Sequence, residues 1–159
     1  MKKIRIAFVC HGNICRSPMA EFIMKKLVSD MGVEEKFLIV SRATSTEEIW
    51  GGVGSPIHPS AKNQLRIHSV PYSEREATLL LKSDTDKYDY FVGMDDINVR
   101  NMRRILNMPE AQFKIKKLKD YTDTPGDVSD PWYTRNFDLA YADIFEGCKR
   151  FLDFLLENS

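Results

Sequence analysis

A short stretch near the amino terminus constrains the fold of this chain more than any other part of the sequence. The mostly apolar residues 4–9 predict a buried strand, which ends abruptly at Cys10. Arg16 follows after five intervening residues, and the Ser17-Pro18 pair is typical of a helix start, with serine as N-cap and proline at the first helical position. The stretch therefore predicts a strand, a tight loop and a helix, with a thiol at one end of the loop and a guanidinium at the other.

The predicted loop has the composition of an anion-binding site. Gly12 and Asn13 tolerate the backbone angles that a loop needs to turn its N–H groups inward. Inward amides beside a helix N-terminus attract anions, and the planar fork of Arg16 can bind two phosphate oxygens at once. The same positive surroundings favour the thiolate of Cys10, which is the nucleophilic form. A Cys-x5-Arg spacing alone recurs by chance, so its placement between a strand and a helix is what makes it informative.

The rest of the chain alternates between predicted strands and helices. Further strands are predicted at residues 37–40, 88–94 and 114–119. Helices are predicted at residues 18–31, 59–67 and 137–155. A helix or helical turn is predicted after a capping box at Ser73-Glu74-Arg75-Glu76, and a further helix between a capping Asp95 or Asp96 and Pro109, with Ile97 facing inward. This order predicts a single α/β domain over residues 1–159, with three layers around a central four-stranded parallel sheet. Ligands of such sheets bind beyond the carboxyl ends of the strands, which is where Cys10 lies.

Composition excludes several classes of function. Lysine plus arginine and aspartate plus glutamate balance at 23 each, so no global field favours nucleic acid or an anionic membrane. No apolar run approaches the ~20 residues that cross a bilayer, and the start of the chain is too short and interrupted for a usual signal peptide. Three cysteines argue against a disulfide framework, and His11, His58 and His68 are too scattered for a metal site. The sequence predicts a cytoplasmic protein without a metal or other cofactor.

A nucleophile beneath a phosphate-binding loop suits cleavage of a phosphate ester, and this reaction also requires a proton for the departing oxygen. Three aspartates are candidates for supplying that proton. Asp123, Asp127 and Asp130 all lie in a predicted loop near the carboxyl terminus, and their chemistry alone does not choose among them. Pro131 stiffens the backbone beside Asp130, and the aromatic pair Trp132-Tyr133 that follows can flank an aromatic leaving group.

Two separate motifs resemble one known family. Residues 9–21, Val-Cys-His-Gly-Asn-Ile-Cys-Arg-Ser-Pro-Met-Ala-Glu, resemble the signature loop of the low-molecular-weight protein tyrosine phosphatases, and Asp130-Pro131-Trp132-Tyr133 resembles the acid loop of that family. The resemblance covers essentially the whole chain. It implies a flavodoxin-like fold of the phosphotyrosine phosphatase I type and a phosphotyrosine-containing protein or peptide as substrate.

The resemblance also implies a role for each loop residue. Cys10 attacks phosphorus and forms a phosphocysteine, and Asp130 first protonates the leaving oxygen and then activates water. The phosphate, or another oxyanion, is held by Arg16 together with His11, Gly12, Asn13, Ile14 and Cys15. Asn13 braces the loop, Ser17 stabilises the thiolate, and Asp95 orients the arginine.

Other positions are assigned with alternatives left open. By resemblance Cys15 forms a reversible disulfide with Cys10, although an inert packing thiol is the competing interpretation. Trp132 and Tyr133 form one aromatic wall of the substrate cleft. Trp50 forms a second wall or caps the core.

The chain departs from the family pattern at a few positions. His11 replaces an apolar residue, and Glu47 lies where many members have a cleft aromatic that Trp50 replaces. Arg42 and Glu74 are aligned with a serine and a histidine that brace the loop in mammalian members. These departures leave the peptide preference open.

Rival functions share the same loop. Arsenate reductases use further cysteines that residues 82–89 lack, and the arginine phosphatases of the family carry threonine at the position of Ile14. A phosphocysteine carrier, or a phosphate-binding module without turnover, needs no acid loop, so the Asp130-Pro131 pair argues against both.

Overall fold

The computed structural model describes residues 2–159 and contains a central parallel sheet with helices on both faces. The strands are β1 (Ile4–Cys10), β2 (Phe37–Ala43), β3 (Ile49–Trp50), β4 (Val53–Gly54), β5 (Tyr90–Gly93) and β6 (Ile115–Lys117). Four of them form the parallel sheet in the order β2-β1-β5-β6, while β3 and β4 form a small antiparallel hairpin. The predicted four-stranded parallel sheet is confirmed.

The helices are α1 (Arg16–Asp30), α2 (Pro59–Ile67), α3 (Asp96–Ile105), α4 (Pro109–Gln112), α5 (Pro131–Thr134) and α6 (Phe137–Glu157). They cover the two faces of the sheet because successive side chains of a strand point in opposite directions. Ile6 and Phe8 of β1 join the core beneath α1, α2 and α6, whereas Ala7 and Val9 join the core beneath α3 and α4. The three-layer α/β class predicted from the sequence is therefore confirmed.

The segment that was predicted to be helical around the capping box at residues 73–76 is not a helix. Leu79 forms an isolated parallel bridge with Ala43 at the end of β2, and Glu76 forms an antiparallel bridge with Pro56. The backbone N–H of Leu80 donates to the carbonyl of Ala43 at 2.8 Å, so non-local pairing satisfies the groups that a helix would have used. The helix prediction was wrong because the local capping pattern does not report this pairing.

Smaller differences concern helix ends and exposed residues. Pro109 was expected to close the preceding helix, but α3 ends at Ile105 and Pro109 begins α4. Ile97 was expected to face inward, and 59% of its surface is exposed. Residues 59–67 form a helix as predicted, and Gly32, with φ of 69°, lies just beyond the end of α1.

The fold places the loop after β1 at the point where the strand order reverses. The chain leaves β1 toward β2 on one side and returns to β5 on the other, and Cys10 pairs in register with Ala43. This carboxyl edge is the usual ligand-binding position of open α/β sheets. In the part of the chain described, no helix is long and apolar enough to cross a membrane, and no three His, Cys, Asp or Glu side chains are grouped as metal ligands.

Candidate active site

Cys10 ends β1 with only 4% of its surface exposed, and its sulfur contacts one hydroxyl. The Sγ of Cys10 lies 3.0 Å from the Oγ of Ser17. That Oγ accepts a 2.8 Å hydrogen bond from Nδ2 of Asn13, so the hydroxyl proton of Ser17 is available to the sulfur.

Ser17 does not begin the helix in the predicted way. The helix α1 starts at Arg16, with Cys15 at the N-cap and no side-chain cap. The N-cap prediction for Ser17 was wrong because its hydroxyl turns toward Cys10 and Asn13 instead of the backbone amides of the first turn.

The loop between Cys10 and Arg16 keeps its backbone donors unpaired. Asn13 has φ of 60°, a left-handed conformation that asparagine adopts more readily than most residues. Within residues 2–159, no hydrogen bond uses a backbone N–H of residues 11–15 as its donor. The loop carbonyls, in contrast, accept from outside the loop: Thr44 N to Cys10 O, Ser45 N to His11 O, His58 N to Ile14 O and Met19 N to Cys15 O. Because the loop carbonyls bind groups outside the loop and the loop amides have no partner, the amides are available to bind an oxyanion.

Only 3% of Arg16 is exposed, and two hydrogen bonds hold its guanidinium. Its Nη1 donates to Oδ2 of Asp95 at 2.9 Å and to the carbonyl of Val128 at 3.0 Å. Asp95 is also the N-cap of α3, where its Oδ1 accepts from the N–H of Asn98. Burial opposes the charge of Arg16, but the neighbouring Cys10, Asp95 and Asp130 together raise its pKa above the ordinary value.

Of the three candidate acids, Asp130 is the one that the fold brings to Arg16. Its Oδ2 lies 3.4 Å from Nη2 of Arg16, and its Oδ1 caps α5 by accepting from the N–H of Trp132. Asp123 pairs with Arg150, and Asp127 pairs with Lys117.

The polar network that braces the loop uses residues other than the expected ones. Nη1 of Arg75 donates to the carbonyl of Asn13 at 2.7 Å, and its Nη2 contacts Oδ1 of Asn13 and lies 3.0 Å from Oγ of Ser41. Ser41 in turn donates to Glu21 at 2.6 Å, and Glu21 also accepts from Lys25. The network therefore joins the loop to β2 and α1.

The two bracing positions were assigned one residue away from where they lie. Arg42 and Glu74 were aligned with the bracing pair, but Ser41 and Arg75 make the contacts. Arg42 reaches the hydroxyl of Tyr88, and Glu74 pairs with Lys62. Neighbouring residues of a strand face opposite sides, so the inward alternation of β2 was the signal that could have distinguished Ser41 from Arg42.

Comparison with known proteins agrees with this geometry. The sequence profile of the family described as low molecular weight phosphotyrosine protein phosphatase matches residues 5–159. The chain belongs to this low-molecular-weight phosphatase family.

Individual members of the family resemble the chain over nearly its full length. The low-molecular-weight protein-tyrosine-phosphatase PtpA of Staphylococcus saprophyticus is 35% identical over 157 residues, which are 98% of this chain and 96% of that protein. The crystal structure of YfkJ from Bacillus subtilis superposes with a TM-score of 0.92 at 32% identity, covering 100% of this chain and 98% of that one. The phosphatase SP-PTP of Streptococcus pyogenes gives 0.84 at 36% identity, covering 98% and 93%.

The three aromatic residues expected to line the substrate cleft of this phosphatase-family chain lie at the surface. Trp50 is 77% exposed in the β3–β4 hairpin, which excludes the alternative that it caps the core. Trp132 and Tyr133 are 72% and 82% exposed in α5, directly after Asp130. The hairpin is close to the signature loop, because a Cβ added to Gly12 would lie 3.2 Å from Cγ of Glu48.

The other two cysteines, Cys15 and Cys148, differ in their surroundings. Cys15 lies in the loop, and burial is the main cause that raises its pKa to about 12. Cys148 is fully buried on α6, where its Sγ lies 3.7 Å from the carbonyl of Ala20. All three cysteines are free thiols.

At the rim, His11 contacts an acidic side chain. Its Nε2 lies 2.9 Å from Oε2 of Glu47, so two residues that depart from the family pattern contact each other. Both side chains are largely exposed, which limits the energy of the pair to about 1 kcal/mol or less.

Proposed function

We propose that this chain, folding as one domain over residues 1–159, hydrolyses phosphotyrosine in proteins or peptides, and small aryl phosphates, through a phosphocysteine on Cys10. The observation that carries the proposal is the convergence of the Cys10 sulfur, the unpaired amides of residues 11–15 and the Arg16 guanidinium at one sheet edge. These groups are a nucleophile and the donors for the oxygens of a phosphoryl group.

The first step transfers the phosphoryl group to sulfur. The Cys10 thiolate forms a bond to phosphorus while the bond from phosphorus to the phenolic oxygen breaks, and the protonated carboxyl of Asp130 gives its proton to that oxygen. Arg16 and the loop amides hold the equatorial oxygens, whose charge they stabilise most strongly in the transition state. The contacts of Arg16 with Asp95 and Val128 keep its fork in place.

The second step releases phosphate. Asp130, now a carboxylate, takes a proton from a water molecule, whose oxygen bonds to phosphorus as the sulfur–phosphorus bond breaks. The products are inorganic phosphate and the Cys10 thiolate. The exposed aromatic residues Trp50, Trp132 and Tyr133 serve as walls for the phenol ring of the substrate.

A redox role is proposed for Cys15. Hydrogen peroxide would oxidise the Cys10 thiolate to a sulfenic acid, and the Cys15 sulfur would then displace hydroxide, leaving as water, to form the Cys10–Cys15 disulfide. This bond would protect Cys10 from irreversible oxidation. We also propose a cytoplasmic location, because three free thiols suit a reducing compartment.

The rival functions lack matching features. An arsenate reductase needs further accessible thiols, and Cys148, the only cysteine outside the loop, is fully buried. A phosphocysteine carrier needs no acid, whereas Asp130 contacts Arg16. Ile14 stands where arginine phosphatases of the family carry threonine, so phosphoarginine is the control substrate.

The test measures phosphate release from p-nitrophenyl phosphate and from peptides carrying phosphotyrosine, phosphoserine or phosphoarginine. The unchanged protein should prefer phosphotyrosine, and Cys10→Ser should have no measurable turnover. Mass spectrometry of an acid-quenched reaction should find one phosphoryl group on Cys10. Turnover by Cys10→Ser would reject the nucleophile, and a phosphoenzyme that is never hydrolysed would indicate a carrier.

The role of Asp130 has its own test. Asp130→Asn retains an oxygen that can cap α5, so its effect reports the lost acid. The rate with phenyl phosphate should fall by roughly 10²–10⁴-fold, and the fall should be smaller with p-nitrophenyl phosphate, whose leaving group needs less protonation. Asp127→Asn is the matched control. Equal losses for both substrates would reject Asp130 as the acid.

A further inference from the structure

A cleft of about 530 Å³ lies beside the signature loop and is not used by the proposed reaction. His11, the residue after the nucleophile, forms part of its wall together with Thr44, Leu81, Lys82, Arg104 and Ile105. The volume falls within the ~300–1,000 Å³ that hold small ligands or side chains. His11 belongs to both the loop and the cleft, so the cleft adjoins the loop.

The position of the cleft follows from the sheet topology. Thr44 comes directly after β2, Leu81 and Lys82 follow the segment that pairs with the end of β2, and Arg104 and Ile105 lie in the last turn of α3. The cleft thus lies between the segment after β2, residues 79–82 and the last turns of α3, and no residue of 123–134 lines it.

The charges of the cleft are all positive. Lys82 and Arg104 line it, and no aspartate or glutamate does. Among residues 2–159 neither cation forms an ion pair, and the guanidinium of Arg104 contacts only Oδ1 of Asn101, at 3.2 Å. Arg16, in contrast, is paired with Asp95. Two unpaired cations in one cleft complement an anionic group.

The walls also carry polar and apolar groups that suit a peptide. Thr44 is 91% buried, since only 9% of its surface is exposed, and its hydroxyl has no hydrogen-bond partner among the residues described. Leu81 is half exposed and adds side-chain carbons to the cleft surface. An extended peptide segment supplies both backbone groups and side-chain carbons for such a surface.

We propose that this cleft binds an acidic residue that flanks the phosphotyrosine in the substrate, with Lys82 and Arg104 as the residues that select it. This inference rests on the proposed function, because it concerns the same substrate. The cleft then determines which phosphotyrosine peptides are preferred, and small aryl phosphates, which end at the loop, do not reach it.

The experiment compares four phosphotyrosine peptides that carry glutamate or glutamine on the amino or the carboxyl side of the phosphotyrosine. For the unchanged enzyme, kcat/KM should be roughly 3- to 10-fold higher for glutamate on one of the two sides, and this preference should shrink at high salt. The variants Lys82→Gln and Arg104→Gln, alone and together, should remove the preference while leaving kcat and KM for p-nitrophenyl phosphate unchanged. Arg103→Gln is the matched control, because this neighbouring cation of α3 lies outside the cleft.

The outcomes separate the two proposals. If the unchanged enzyme fails to hydrolyse p-nitrophenyl phosphate, the proposed function is rejected. If it hydrolyses this compound but shows no preference for glutamate on either side, the cleft proposal alone is rejected. Loss of the preference in Arg103→Gln to the same extent, or an equal loss of activity toward p-nitrophenyl phosphate in the cleft variants, would also overturn it.

Discussion

Arg75 donates a 2.7 Å hydrogen bond from Nη1 to the backbone carbonyl of Asn13, a residue with φ of 60°. The same guanidinium contacts the Asn13 side chain and the hydroxyl of Ser41. A left-handed non-glycine residue costs about 1 kcal/mol or more and persists only where its surroundings hold it. Arg75 therefore holds the loop in the conformation that leaves its amides available, although it lies 62 residues away in sequence.

Arg75→Met should reduce catalysis more than it reduces substrate binding. Removing the guanidinium leaves the buried backbone carbonyl of Asn13 without its donor, at a cost of about 1–3 kcal/mol. We expect kcat to fall by roughly 10-fold or more and the Tm to drop. The control is Arg66→Met, since within residues 2–159 the guanidinium of Arg66 makes a single hydrogen bond, to the hydroxyl of Tyr72 at 3.5 Å. Unchanged kinetics in Arg75→Met would show that Thr78, whose N–H also donates to Asn13, holds the loop alone.

Asp95→Asn separates orientation of Arg16 from capping of α3. Asparagine is as good an N-cap as aspartate, so helix stability should change by only a few tenths of a kcal/mol. The charge-assisted bond to Arg16 is weakened, and we expect kcat/KM to fall roughly 10-fold, with weaker competitive inhibition by inorganic phosphate. The neighbouring, exposed Asp96 gives the control Asp96→Asn. An equal effect of both substitutions would contradict the orienting role.

Stability should fall at alkaline pH, in part because of Cys15. Burial raises the pKa of this thiol from 9.0 to about 12 in the folded protein. Between these values the unfolded chain loses the thiol proton and the folded chain keeps it, so the free energy of unfolding decreases as pH rises. Urea titrations between pH 8 and 10 should show a shallower decrease for Cys15→Ala. Parallel curves for the two proteins would contradict the raised pKa.

Trp132→Ala and Tyr133→Ala should change substrate binding and not stability. Both side chains are mostly exposed, so their removal creates no cavity. We expect KM for phosphotyrosine peptides to rise several-fold, in line with the ~0.5–1.5 kcal/mol of an aromatic pair, while Tm stays the same. Phe113→Ala serves as control, because Phe113 is 82% exposed beside β6. If KM also rises in Phe113→Ala, the assignment of Trp132 and Tyr133 to the substrate cleft is rejected.

Gly147→Ala should reduce stability without touching the site. A Cβ at this position in α6 would lie 2.5 Å from Cγ of Leu118, so the close packing of α6 on residues 118–121 would have to open. Overpacking of this kind costs about 1–3 kcal/mol. We expect a lower Tm with unchanged kcat and KM at 25 °C. A change in kcat or KM of the fully folded variant would contradict this expectation and indicate that the packing of α6 affects the loop.

Local patterns in the amino-acid sequence are enough to predict the elements around Cys10. Apolar residues before Cys10, Gly12-Asn13 in the loop and the helical spacing after Arg16 predict the strand, the loop and the helix, because these patterns report chain periodicity and turn tolerance. The alternation of such units along the chain was sufficient for the parallel sheet.

Which distant side chains support the loop depends on the packing of the folded chain. Arg75 was read as part of a helix start, but residues 76–80 pair with β2 and the β3–β4 region and thereby bring its guanidinium to Asn13. Ser41 and Glu21 join it from separate elements, and Asp130 reaches Arg16 across 114 positions. A capping pattern or a charged residue in the sequence does not reveal which residue it will contact, because that contact depends on how strands and helices pack against one another.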